Sequence, residues 1–154
     1  MNTLAYFKER FEQLQADTVD THIKTIRDEA FDEFSRTGIP TVRHEEWKYT
    51  QINDFFSKDY HFTADLKEQF FTKQDLAAIQ IPGTAEANVI VFVNGHYHPE
   101  LSTIKSEELE IFSLQEAAHN QFAPIVEKHL GHSAQYHRDG INALNTAFIQ
   151  EGVF

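Results

Sequence analysis

Two short histidine spacings are the first candidates for chemistry in this chain. His96-x-His98 would set both imidazoles on one side of an extended segment, and His129-x-x-His132 brackets a helix end near His137. Such pairs can serve zinc or iron, usually with a thiolate or carboxylate completing the shell. The chain has nine His but no Cys, so no thiolate is at hand. His96 and His98 also sit beside a turn, where exposed histidine is ordinary, and surface imidazoles are the plainer reading. Arg43, Glu45 and Glu46 beside the only Trp, Trp47, form a second candidate, an acid–base group. The alternative is a set of solvated or paired charges whose stems pack around an aromatic anchor. No G-x-x-x-x-G-K-S/T phosphate loop and no G-x-G-x-x-G turn occurs, and no residue set supplies an activated nucleophile. Intrinsic catalysis is therefore not expected, and no residue is assigned a catalytic, cofactor-binding or metal role.

The elements that would position these groups are those of one domain, or of a domain with a helical arm, at 154 residues. Hydrophobic content of 41% with fourteen Phe provides a sizeable, aromatic-rich core. A net charge of −11 argues against nucleic acid, because phosphate binding needs a cationic face, and it suits contact with basic partner surfaces. With no Cys there are no disulfides, and the thiolates that usually hold iron–sulfur clusters are missing too. The segment from Met1 to Arg10 is amphipathic without a signal-peptide core. No run approaches the ~20 apolar residues of a membrane span. The chain reads as cytoplasmic.

Leu4, Phe7, Phe11 and Leu14 recur at steps of three and four and predict a first amphipathic helix. Val19, Ile23, Ile26, Ala30 and Phe34 predict a second, with Asp17 or Thr18 as N-cap and Gly38 as stop. A short link makes the two a helical hairpin, whose stripes would pack on each other, on the rest of the chain or on another subunit. Tyr60-His61-Phe62 suits a short strand, Glu68-Gln69-Phe70-Phe71 sets paired Phe among polar residues, and Thr72 to Leu76 reads as a capped turn ended by Ile81-Pro82-Gly83. Asn88 to Val93 reads as a strand buried on both faces, and Asn94-Gly95 as a hairpin turn returning through His96-Tyr97-His98 to Pro99. Leu109 to Phe112 is expected to be a third strand of the same sheet. Ser113 and Glu116 have capping-box spacing, and helices are expected from Ala123 to Leu130, stopped by Gly131, and from Gly140 to Phe148.

The densest corner is Gly38-Ile39-Pro40-Thr41-Val42-Arg43-His44-Glu45-Glu46-Trp47-Lys48-Tyr49-Thr50. Gly38 can take the left-handed conformation that ends a helix, and Pro40 cannot continue one. Thr41 is expected to N-cap a short helical turn containing Glu45, with Trp47 and Tyr49 burying large aromatic area. Full burial of the Trp47 ring would make its loss cost about 3–5 kcal/mol.

This segment, G-I-P-T-x-R-x-E-x-W-K-Y-T, resembles a signature near the N-terminus of the SufD family, scaffold subunits of the Suf iron–sulfur cluster assembly machinery. Val89 to Tyr97 resembles that family's strand ending in V-N-G, with Leu101-Ser102 following. Asp139 to Phe148 resembles its A-L-N-x-A-F segment, with Glu151-Gly152 after it. Matched positions are Gly38, Pro40, Arg43, Glu45, Trp47, Lys48, Tyr49, Asn94, Gly95, Leu144 and Asn145, all carried over as structural residues.

The resemblance implies a non-catalytic N-terminal domain of a scaffold in iron–sulfur cluster assembly. In that family the scaffold pairs with its SufB paralogue through a right-handed parallel β-helix and binds the SufC ATPase through a C-terminal helical segment. Those regions would lie mostly outside this chain, so no cofactor is expected in it, while the full complex would handle iron–sulfur clusters. The expected fold is α+β: a helical hairpin arm over 1–37, a small α+β domain over 38–152 with an antiparallel sheet and packed helices, and 153–154 at the start of a missing β-helix. The apolar end Val153-Phe154 is read as a cut near that boundary. Two other classes remain: an independent acidic protein–protein interaction module, and a His-based metal-binding protein. No nucleic acid or membrane partner is expected.

Overall fold

The structure, a computed structural model, describes residues 3–16, 21–56, 71–132 and 138–154. The expectations for Asp17, Thr18, Val19, Tyr60-His61-Phe62, Glu68-Gln69-Phe70 and His137 lie outside the described residues, as does the side chain of His22. Seven α-helices and one two-stranded antiparallel sheet occur among the described residues, which makes the class α+β. They fall into two compact units, one of residues 1–61 with 124–150, the other of 62–123 with 151–154.

The first unit is built on α1 (Thr3–Ala16), α2 (Thr21–Thr37) and α7 (Gly140–Ala147). Phe7 and Phe11 of α1 are buried, and α2 buries Ile23, Ile26, Arg27, Ala30, Phe31 and Phe34. These α2 positions step by three and four, so they line one face of the helix. Phe11 stacks on Phe31 with ring centroids 4.2 Å apart, and Phe7 meets Phe34 edge-on at 5.6 Å. Gln15 donates to Asp28 Oδ1 at 2.7 Å. As α1 advances from Phe7 to Gln15, its partners recede from Phe34 to Asp28, so the two helices run antiparallel as the expected hairpin. Their stripes close on each other and on α7.

The most extensive helix pairing is that of α2 with α7. Ala30, Ala143 and Ala147 are all 0% exposed there, and such small side chains let two backbones approach closely. Phe148 then lies edge-on to Phe7 and Phe11, both at 6.0 Å. Each such aromatic pair adds roughly 0.5–1.5 kcal/mol beyond area burial. α2 stops at Gly38, where φ is +70° and the N–H donates to the Phe34 carbonyl at 2.7 Å. This is the left-handed cap expected from sequence. The short helix α3 (Asn53–Phe56) and α6 (Ala123–His129) follow, α6 leading into Gly131 at φ +80°.

In the second unit, α4 (Lys73–Ile79) and α5 (Leu114–His119) each start with a complete capping box, Thr72 with Asp75 and Ser113 with Glu116. Strands β1 (Phe92–Val93) and β2 (His96–Tyr97) pair antiparallel, Phe92 opposite Tyr97 and Val93 opposite His96. Asn94 and Gly95 both have positive φ, 51° and 88°, the requirement of the tight turn that matches strand twist. Val89 and Thr103 form a separate antiparallel bridge with two backbone bonds of 2.8 Å.

Two strand expectations are corrected. Residues 88–93 are not buried on both faces: Val91 is buried, whereas Ile90 and Phe92 are 39% and 43% exposed. The period of two therefore operates despite the unbroken apolar run, because one face of this short hairpin is left uncovered. Leu109 to Phe112 does not join β1 and β2 either. Phe112 and Phe154 instead exchange backbone bonds of 3.1 and 2.9 Å, and Leu114 N–H donates to the Gly152 carbonyl at 2.9 Å. Phe122 packs between the Phe112 and Phe154 rings, with centroids 5.1 and 4.9 Å away. Aromatic packing and three satisfied amides together favour this pairing over the hairpin edge.

Candidate functional site

The charged residues of the Gly38–Thr50 corner do not converge. Glu45–Trp47 form a single 3₁₀ turn, and Arg43, Glu45 and Glu46 are all exposed. Lys48 Nζ lies 4.0 Å from Glu45 Oε1 with side chains 52% and 87% exposed, a pairing that water largely screens. All three acid–base candidates therefore stand in water, without a shared partner among the described residues to organise them. Tyr49 is 92% exposed, so the expected burial of its ring is corrected; Lys48 Nζ lies over its face, 5.6 Å from the centroid. Thr41 does not cap the turn. Its hydroxyl accepts from the Arg43 N–H at 3.4 Å, its own N–H donates to His44 Nδ1 at 3.1 Å, and His44 stands at the N-cap with no side-chain cap. The turn begins one residue after His44, beyond the reach of the Thr41 hydroxyl.

The histidines are also dispersed. His96 Nδ1 is 3.8 Å from Glu151 Oε1, and His98 Nδ1 is 2.6 Å from Glu100 Oε1, so neighbouring imidazoles face different carboxylates. His129 and His132 are exposed. Among the described residues no group of three or more His, Cys, Asp or Glu is arranged to hold a metal ion.

What the corner does instead is lock onto the start of α7. Trp47, half-buried rather than enclosed, donates its Nε1–H to Asp139 Oδ2 at 3.1 Å. The other carboxylate oxygen, Oδ1, accepts from the Ile141 and Asn142 N–H groups at 2.7 and 3.0 Å, which makes Asp139 the N-cap of α7. One carboxylate therefore satisfies two orphan amides and fixes an indole 92 residues away in sequence. Directly behind it, Gly140 lies so close to Gly38 that a Cβ there would clash with the Gly38 carbonyl oxygen. Pro40 is buried in the same corner.

The far end of α7 is held as well. Arg27, 4% exposed within the apolar face of α2, donates Nε–H to the Ile149 carbonyl at 2.7 Å, and its Nη2 donates to the same oxygen. Cationic donors suit the carbonyl-rich end of a helix. Two of the three motif stretches, residues 38–50 and 139–148, thus meet within the first unit, and residues 89–97 belong to the second. Gly38, Pro40, Trp47 and Leu144 pack within the first unit. Asn94 and Gly95 form the exposed hairpin tip of the second, and Arg43, Glu45, Lys48, Tyr49 and Asn145 are exposed. Sequence reasoning missed Asp139, Gly140 and Arg27. Two signals were legible: an Asp one residue before a helical stripe, and a charge occupying an apolar-face position of α2.

Two carboxylates of the second unit, Asp75 and Glu116, have clearly displaced acidities. The Thr72 hydroxyl, then its backbone N–H, holds Asp75 below its ordinary value. The Ser113 N–H, then its hydroxyl, does the same for Glu116. Both are the exposed third-position partners of helix caps.

The comparisons with known proteins agree on one family. The model described as SufBD protein N-terminal region matches residues 2–154. The iron-sulfur cluster assembly protein SufD of Escherichia coli (strain K12) is 34% identical over 68 residues, which are 44% of this chain and 14% of that protein. The matched part is therefore a small share of that relative's length. No solved structure matches. Since the family model runs through the Gly38–Thr50 corner, the Asn94-Gly95 hairpin and α7 alike, this chain belongs to the SufBD protein N-terminal region family.

Proposed function

We propose that this chain is the non-catalytic N-terminal domain of a SufD-like scaffold acting in cytoplasmic iron–sulfur cluster assembly, within a complex that contains a SufB-like paralogue and a SufC-like ATPase. The reading rests on the family match over residues 2–154 and on the similarity to a protein named for cluster assembly. It is supported by the role of two motif residues: Gly38 and Trp47 serve a structural lock with Gly140 and Asp139. Clusters are the cargo of the assembly, and contacts with the paralogue and the ATPase are assigned to a β-helix and a helical segment outside residues 1–154. In this proposal the hairpin of residues 1–37 is part of the domain body through its core with α7, and the β-helix lies beyond residues 153–154.

The test is removal of the gene in its source organism, followed by complementation with the full-length gene. Specific activity of an iron–sulfur enzyme should fall without loss of its apoprotein and return on complementation. The tagged full-length protein should co-purify with a SufB-like protein and a SufC-like ATPase. Unchanged iron–sulfur enzyme activity, with neither partner recovered, would overturn the proposal. Recovery of a partner by residues 1–154 alone would favour an independent acidic interaction module.

A further inference from the structure

We draw no further inference here: the strongest candidate, the apolar patch that Ile90, Phe92 and Tyr97 form on the outward face of the β1–β2 hairpin, carries none because nothing in the structure shows what covers it.

Discussion

Gly140→Ala is the substitution on which local and tertiary reasoning disagree most. Gly140 opens α7 immediately after the Asp139 cap. By helix propensity alone, Ala in place of Gly gains up to about 1 kcal/mol within a helix, and less unfolded-chain entropy is lost on folding. The packing predicts the opposite sign. The new methyl would fall on the Gly38 carbonyl oxygen, with the Gly38 carbonyl carbon at 3.0 Å and Thr37 Cγ2 at 3.7 Å. The nearest obstruction is backbone, so no rotamer change relieves it. Either α7 or the Gly38 peptide must shift. A shift puts at risk the Gly38–Phe34 cap bond of 2.7 Å and the Trp47–Asp139 bond of 3.1 Å, each worth about 1 kcal/mol net. Overpacking itself costs roughly 1–3 kcal/mol. After subtracting the propensity gain, the expected loss is about 2–4 kcal/mol, or a Tm lowered by roughly 5–15 °C for a chain of this size. Urea and thermal unfolding followed by circular dichroism would measure it. Gly152→Ala is the matched control, because its Cβ would meet Leu114 side-chain atoms at 3.6 and 3.7 Å, ordinary contacts. Gly38→Ala isolates backbone strain: the space is open but φ is +70°, with an expected cost of about 1–2 kcal/mol. A Gly140→Ala protein as stable as wild type would refute the close-approach argument.

The indole hydrogen bond can be tested with Trp47→Phe, which keeps an aromatic ring but removes the donor to Asp139. A loss of about 1 kcal/mol is expected in urea unfolding, and no loss in an Asp139→Ala background, where the acceptor is already gone. Arg27→Met should cost about 2–3 kcal/mol by leaving the Ile149 carbonyl without its charged donor; amide exchange near the C-terminal end of α7 should quicken, and unaltered exchange there would contradict the assignment. The capping boxes predict a pH dependence of defined sign. Asp75 and Glu116 are held below their ordinary values of 3.8 and 4.5, so the unfolded chain binds protons before the folded one does. Their stabilisation is complete above those values and is lost as pH falls through the lowered folded values. In acid titration, Glu116→Gln should be less stable than wild type at pH 7, and the gap should shrink below the ordinary carboxylate range; a gap independent of pH would remove Glu116 from the account.

Signals confined to a few residues were readable without the fold. Asn94-Gly95 specifies its turn because both residues tolerate positive φ, and Ser113-x-x-Glu116 specifies a helix start because the reciprocal bonds span three residues. The α1 and α2 stripes are equally legible, since a period of 3.6 collects Phe7 and Phe11, and Ala30 and Phe34, on single faces. The candidate chemistry read less well. Arg43, Glu45 and Glu46 sit together in sequence, but the turn directs them into water, and spacing alone carries no information about what lies across from a side chain.

By itself, then, the sequence determined the stop of α2 at Gly38, the starts of α4 and α5, where the hairpin turns and which family the motifs resemble, because these depend on backbone preferences and contacts within one or two turns of chain. Tertiary structure alone decided that Trp47 meets Asp139 across 92 residues, that Arg27 reaches Ile149 across 122, and that Phe112 pairs with Phe154 rather than with the hairpin. Those choices depend on which surfaces remain uncovered once the helices have packed. The same holds for Gly140, whose missing side chain is required by a carbonyl 102 positions earlier rather than by anything in its own helix.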